Sequence, residues 1–170
     1  MTFKLLLKNL ARGPLTEAAP AADDAALAEL AAKVNQAARA RLGRALSIRE
    51  VDAGSCNGCE LEIHALNNVV YDLERFGLRF VASPRHADVL MVTGPVTKNM
   101  REALSRTYHA TPDPKWVVAV GRCAADGGIF TGSYACVGGV KDVVPVDLHI
   151  AGCPPSPTDL LKGLLALLSM

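Results

Sequence analysis

Aromatic residues are scarce in this 170-residue chain, at 5% with a single tryptophan, and neither sign of charge is in excess, with 18 Lys and Arg against 17 Asp and Glu. That balance argues against nucleic acid as the main partner, because phosphate binding draws on a concentrated surplus of Lys and Arg. Long hydrophobic runs are missing too. The longest, such as residues 117–120 and 164–168, fall far short of the roughly 20 residues that a spanning helix requires. The opening M-T-F-K-L-L-L-K-N-L-A-R puts lysines inside a short apolar stretch and has no small-residue cleavage site, which argues against a signal peptide. Cysteine is present in an odd number, five, which argues against a disulfide framework and for a reducing compartment. Half the residues are hydrophobic, so a disordered chain is excluded and a globular domain with its own core is expected.

Composition shifts once, near residue 45. Residues 13–44 contain neither Cys nor His and read as a helical leader. Within it, Asp23 and Asp24 precede an Ala-rich stretch, and Arg39, Arg41 and Arg44 follow it, the charge order that complements a helix dipole over residues 25–42. In the first twelve residues, Lys4, Lys8 and Arg12 share one helical face and Phe3, Leu6, Leu7 and Leu10 the other, which suits an interfacial or docking helix. From residue 47 onward, β-rich runs at 47–51, 78–82, 89–93, 116–120 and 146–150 alternate with helical patterns at 60–75, 99–108 and 158–168. Alternation of this kind predicts an α/β domain, a mostly parallel sheet covered by helices, over residues 46–170, preceded by the leader at 1–45.

Four cysteines occupy equivalent places in that scheme. Cys56 and Cys59 follow the first strand, Cys123 follows the strand ending at Val120, and Cys153 follows the last strand. In an open parallel sheet the C-terminal strand ends gather at one edge and form the binding crevice, so these thiols are expected to converge. Gly54, Gly58, Gly121, Gly127, Gly128 and Gly152 flank them and allow the backbone to approach a bulky group closely. Four thiolates in glycine-rich loops suit a 4Fe-4S cluster. Zinc remains open, although its structural sites use two close ligand pairs and only one is close here. A redox-active C-x-x-C disulfide and buried structural thiols are the other readings.

G-S-C-N-G-C-E-L-E-I at 54–63, S-P-R-H-A-D-V-L-M-V-T-G-P-V-T at 83–97, G-R-C-A-A-D-G-G-I-F at 121–130 and G-C-P-P-S-P at 152–157 together resemble the iron-sulfur small subunit of energy-converting [NiFe]-hydrogenases, including formate hydrogenlyase. The B subunit of respiratory complex I, an NADH-quinone oxidoreductase, belongs to the same superfamily. The resemblance implies a flavodoxin-like three-layer fold holding one 4Fe-4S cluster on Cys56, Cys59, Cys123 and Cys153. It implies electron transfer to or from a hydrogenase-type large subunit that performs the bond chemistry, so no catalytic residue is expected on this chain. A ferredoxin-like iron-sulfur subunit and membrane-arm subunits complete the implied oxidoreductase, on the cytoplasmic face of the inner membrane. The spacing C-N-G-C at 56–59 resembles the hydrogenase branch rather than the adjacent cysteines of the complex I branch. Only 17 residues follow Cys153 and none is Cys, so a single cluster is expected. Small subunits of the formate hydrogenlyase kind often continue past the G-C-P-P helix, whereas this sequence stops at Met170. A complex I-like quinone reductase and a nickel-free relative are the alternatives.

The remaining residues carry weaker signals. Glu60, next to Cys59, is a candidate proton relay, although charge complementarity at a helix start explains it more simply. Arg122 would place positive charge beside a cluster. Cys136 reads as a buried small hydrophobe and His86 as a surface or interface histidine. Arg85, His86 and Asp88 precede a strand in a loop that the resemblance places against the large subunit. His64, His109 and His149 have no ligand-like spacing. The competing functional class is a zinc-stabilised interaction module, which would be colourless and redox-silent.

Overall fold

The structure is a computed structural model that describes residues 24–170. Its centre is a five-stranded sheet of β1 (Ser47–Asp52), β2 (Arg79–Phe80), β3 (Val89–Thr93), β5 (Trp116–Val120) and β7 (Leu148–Ile150). The order is β2-β1-β3-β5-β7 and every neighbouring pair is parallel. Counted along the chain, these strands run 2-1-3-4-5, the doubly wound order of flavodoxin-like folds. All five residues of β3 are buried, because a central parallel strand is covered on both faces and therefore reads as a continuous apolar run.

The period of two along each strand sorts the core into two halves. Met91, Val118 and Val120 face a cluster built with Leu160, Leu161 and Leu164, whereas Leu90, Val92, Val117 and Ala119 face one built with Leu104 and Val140. On the first side lie α1 (Asp24–Leu42), α2 (Gly58–Ala65) and α5 (Pro157–Ser169); on the other lies α3 (Lys98–Ala110). The short α4 (Gly121–Asp126) follows β5 directly. Each fully buried leucine contributes about 1.5–3 kcal/mol relative to exposure, so the α1–α5 side is the main source of cohesion.

The helix expected over 25–42 is α1. Its buried Ala31, Val34 and Ala38 pack into the core. The Arg41 guanidinium lies 4.9 Å from the Trp116 ring centroid and donates to the carbonyls of Leu167 and Leu168 at 3.3 Å. It thereby caps the last turn of α5, whose terminal carbonyls lack partners within the helix. Arg44 clamps buried Asp88 through two hydrogen bonds of 2.9 and 2.5 Å, and Asp88 also accepts from the Ser47 backbone N–H at 2.9 Å. Asp88 is thus an internal tie, since a carboxylate this deeply buried needs partners. The amphipathic pattern in the first twelve residues lies outside the described residues.

Three local expectations need correction. The helix expected over 60–75 ends with α2 at Ala65. Asn68 turns the chain by accepting the backbone N–H groups of Val70 and Tyr71 at 2.8 and 3.0 Å, a local bond that competes with helix continuation. Val69 and Val70, which share a helical spacing with Leu66 and Leu73 within that stretch, are 95% and 53% exposed. The strand expected over 78–82 shrinks to the two residues of β2, an edge strand. A second, antiparallel two-stranded sheet, β4 (Val96–Thr97) with β6 (Cys136–Gly138), has no counterpart in the sequence reading. Among the described residues, no helix is long and apolar enough to cross a membrane.

Candidate metal centre

The C-terminal ends of β1, β5 and β7 deliver the four cysteines to one edge of the sheet. After β1, Asp52 Oδ1 accepts the backbone N–H groups of Gly54 and Ser55 at 2.7 and 2.9 Å, and Ser55 Oγ accepts that of Asn57 at 3.0 Å. These bonds fold residues 52–57 into a tight hook, and left-handed Asn57, at φ 70°, starts α2. Cys56 sits on the hook and Cys59 in the first turn of α2. Cys123 lies in α4, immediately after β5. Cys153 follows β7 through Ala151 and Gly152.

All four cysteines line one cavity of about 80 Å³, together with Gly58, Gly94, Arg122, Gly152 and Pro154. Two further glycines lie directly against the sulfurs. A Cβ at Gly121 would lie 2.6 Å from Cys59 Sγ, and one at Gly128 would lie 2.7 Å from Cys123 Sγ, both closer than atoms tolerate. The missing side chains are what let sulfur lie against backbone. Cys56 and Cys153 are exposed, and Cys59 and Cys123 half-buried.

Electrostatics at the cavity are set by burial and crowding. Burial pushes the Cys59 thiol up to about 12, and Glu60, Cys56, Cys123 and Cys153 push it the same way. Burial likewise raises Cys123, opposed by a backbone hydrogen bond from Ile129. Burial thus favours the protonated thiol at Cys59 and Cys123, and binding a cationic centre would offset that. Among the described residues, no three His, Cys, Asp or Glu side chains are placed to hold one metal ion. Four thiols lining one cavity, with glycine backbone against two of the sulfurs, are a donor set whose chemistry fits an iron-sulfur cluster.

Around this edge the other sequence candidates separate. Arg122 is exposed and lines the cavity, as expected. Glu60 is 5% exposed, and neither carboxylate oxygen has a hydrogen-bond partner. Cys136, expected to be buried, is half-buried on β6 and lines a different pocket with Phe130 and Thr131, because the two-strand ladder is too small to cover it. His86 is exposed, as expected.

Two residues escaped the sequence reading. Glu50 on β1 has its carboxyl raised chiefly by burial, and its Oε2 lies 3.4 Å from His64 Nε2. His149, on β7, places Nε2 3.1 Å from the carbonyl oxygen of Gly121. Neither pairing is visible in local spacing, since each joins separate elements; the alternation of β1 and β7 gives the only hint of which side chains share a face.

Comparison with known proteins places this arrangement. The family model described as NADH ubiquinone oxidoreductase, 20 Kd subunit, matches residues 56–167, from the first of the four cysteines into the last turn of α5. Formate hydrogenlyase subunit 7 of Escherichia coli (strain K12) is 46% identical over 123 residues, covering 72% of this chain and 48% of the relative, so the match spans about half of that protein's length. A protein named "Probable membrane-bound hydrogenase subunit mbhJ", from Pyrococcus furiosus, is 45% identical over 124 residues, covering 73% of this chain and 74% of the relative. Among solved structures, a chain of the membrane-bound sulfane sulfur reductase, an archaeal respiratory membrane complex, superposes with TM-score 0.66 at 36% identity, covering 82% of this chain and 75% of that one. A chain of the NAD+-reducing [NiFe]-hydrogenase superposes with TM-score 0.52 at 21% identity, covering 71% and 93%, a likeness of fold. The chain belongs to the NADH ubiquinone oxidoreductase 20 Kd subunit family, a family of oxidoreductase subunits.

Proposed function

We propose that this chain is the electron-transfer small subunit of a membrane-associated [NiFe]-hydrogenase complex of the formate hydrogenlyase kind, with one 4Fe-4S cluster held by Cys56, Cys59, Cys123 and Cys153. The observation that carries this reading is the convergence of four thiols, from three strand ends, around one glycine-walled cavity. The names of the curated relatives support the hydrogenase assignment. Structural zinc usually takes two close ligand pairs, and only Cys56 and Cys59 are close in sequence here, which disfavours it.

When bound, a cluster of this kind supplies one-electron transfer. The chain's own residues supply the rest. The four thiols lose their protons on binding, and Gly121 and Gly128 let the backbone close over the sulfurs. Arg122 offsets negative charge at the mouth, and buried Glu60, whose carboxylate oxygens have no hydrogen-bond partner, is the candidate proton relay beside Cys59. Exposed Cys56 and Cys153 leave one side of the cavity open to a partner. The large subunit performs the bond chemistry there, a ferredoxin-like subunit exchanges electrons, and membrane-arm subunits hold the assembly at the cytoplasmic face of the inner membrane.

The similarity to a chain of the sulfane sulfur reductase favours, as the second reading, a nickel-free or complex I-like assembly with the same cluster. Anaerobic purification with the natural large partner, read by iron, nickel and reduced-state EPR, separates the two. Iron at about four per chain beyond the partner's own, with nickel, supports the hydrogenase reading. Iron without nickel selects the second reading, and zinc without iron overturns both.

A further inference from the structure

The peptide joining Gly121 to Arg122 is held at both ends. Its carbonyl oxygen lies 3.1 Å from His149 Nε2, and its N–H, that of Arg122, donates to the Gly152 carbonyl at 2.9 Å. This peptide sits where three of the four cysteine segments meet. Gly121, at φ +81°, packs against Cys59 Sγ and the Gly152 carbonyl, and Cys123 lies two residues on. Gly152 immediately precedes Cys153. Its hydrogen bond to Arg122 therefore ties the Cys123 segment to the Cys153 segment, and His149 is the side chain that fixes the tilt of the tie. The strand register explains its reach: His149 pairs with Ala119 across the β5–β7 ladder, two residues before Gly121.

We infer that His149 is a positioning residue for the cluster: it holds the Gly121–Arg122 peptide, and through it sets the relative placement of Cys59, Cys123 and Cys153 and the electronic environment of whatever they bind. The inference rests on the reading under Proposed function. A peptide carries a dipole of about 3.5 D, and cluster potentials respond to local dipoles and hydrogen bonds. The hydrogen bond requires a proton on Nε2, which the neutral Nε2–H tautomer supplies. His149 is exposed on β7, so replacing it removes the tie without opening the core.

The test uses the whole anaerobically purified complex in wild-type form and as His149→Phe and His149→Gln. The expected result for His149→Phe is a shifted cluster midpoint potential, a broadened reduced-state EPR signal, and iron release to a chelator about fivefold faster, the weight of one ordinary hydrogen bond. His149→Gln, whose amide can still donate, is expected to restore the wild-type potential and spectrum. His149→Asn, polar but shorter, gives the same direction as the phenylalanine variant if that one does not assemble. Unchanged potential, spectrum and release rate in both His149→Phe and His149→Asn would overturn the role of His149. A wild-type complex that shows no cluster signal from this chain would overturn the cluster reading itself, and the inference with it.

Discussion

Two helices begin directly after candidate ligands, and they are built in opposite ways. α5, after Cys153, opens with a complete capping box: Ser156 Oγ accepts the Asp159 N–H at 3.3 Å, and Asp159 Oδ2 accepts the Ser156 N–H at 3.2 Å. Proline sits at its start, and six of its thirteen residues are buried. α2, after Cys56, runs eight residues, starts at a left-handed Asn57 with no side-chain cap, and buries only Glu60 and Ile63. One helix is anchored by its own sequence. The other depends on the hook at 52–57 and, on the proposed reading, on what the thiols would hold. The ligand edge therefore has a rigid side and a compliant side, and filling the site is expected to order the compliant one.

The largest break in that comparison comes from Cys59→Ala. It should remove the cluster and raise amide hydrogen exchange across residues 52–68, while α5 stays protected. Exchange rising equally in α5 would show that the two sides are not independent. Next is Leu164→Ala, in the fully buried face of α5, expected to cost about 2–5 kcal/mol in urea unfolding. Iron content of the folded complex should be unchanged. Ser156→Ala removes the cap and should cost about 1 kcal/mol, whereas Asn57→Ala has no cap bond to lose and is expected to act only through backbone strain at φ 70°.

The smallest effect concerns Glu50, beside α2. Its folded pKa is raised, chiefly by burial, so the folded state holds this proton more tightly than the unfolded chain does. That contribution favours folding below the ordinary carboxyl range and is lost as pH rises from about 4.5 through the raised value. Glu50→Gln should therefore gain stability relative to wild type at pH 7 and lose that advantage on acidification. A constant difference across pH in thermal melts would contradict the assignment.

The strands of the parallel sheet were legible in the sequence as short β-rich runs, and the convergence of Cys56, Cys59, Cys123 and Cys153 was legible because the ligand segments follow such runs. The parallel order, with β1 between β2 and β3, then does the rest. The end of α2 was not legible: Leu66, Val69, Val70 and Leu73 carry the helical period, yet the Asn68 side chain captures two backbone donors and breaks it. β4 and β6 were invisible because two and three residues carry no period and pair across some forty positions of chain. His149 was passed over because its partner is a backbone carbonyl on another strand's end, which no spacing rule reaches. Cys136 was misplaced for a related reason, since its burial depends on that unforeseen ladder.

The central claim is that these four cysteines together hold one cluster. It is tested most directly by iron and inorganic sulfide counted on the anaerobically purified complex, wild type against Cys153→Ala. The account predicts the loss of about four irons and a matching amount of sulfide per chain, together with one reduced-state EPR signal. Unchanged iron and sulfide in the variant, or zinc in place of iron in the wild type, would contradict it.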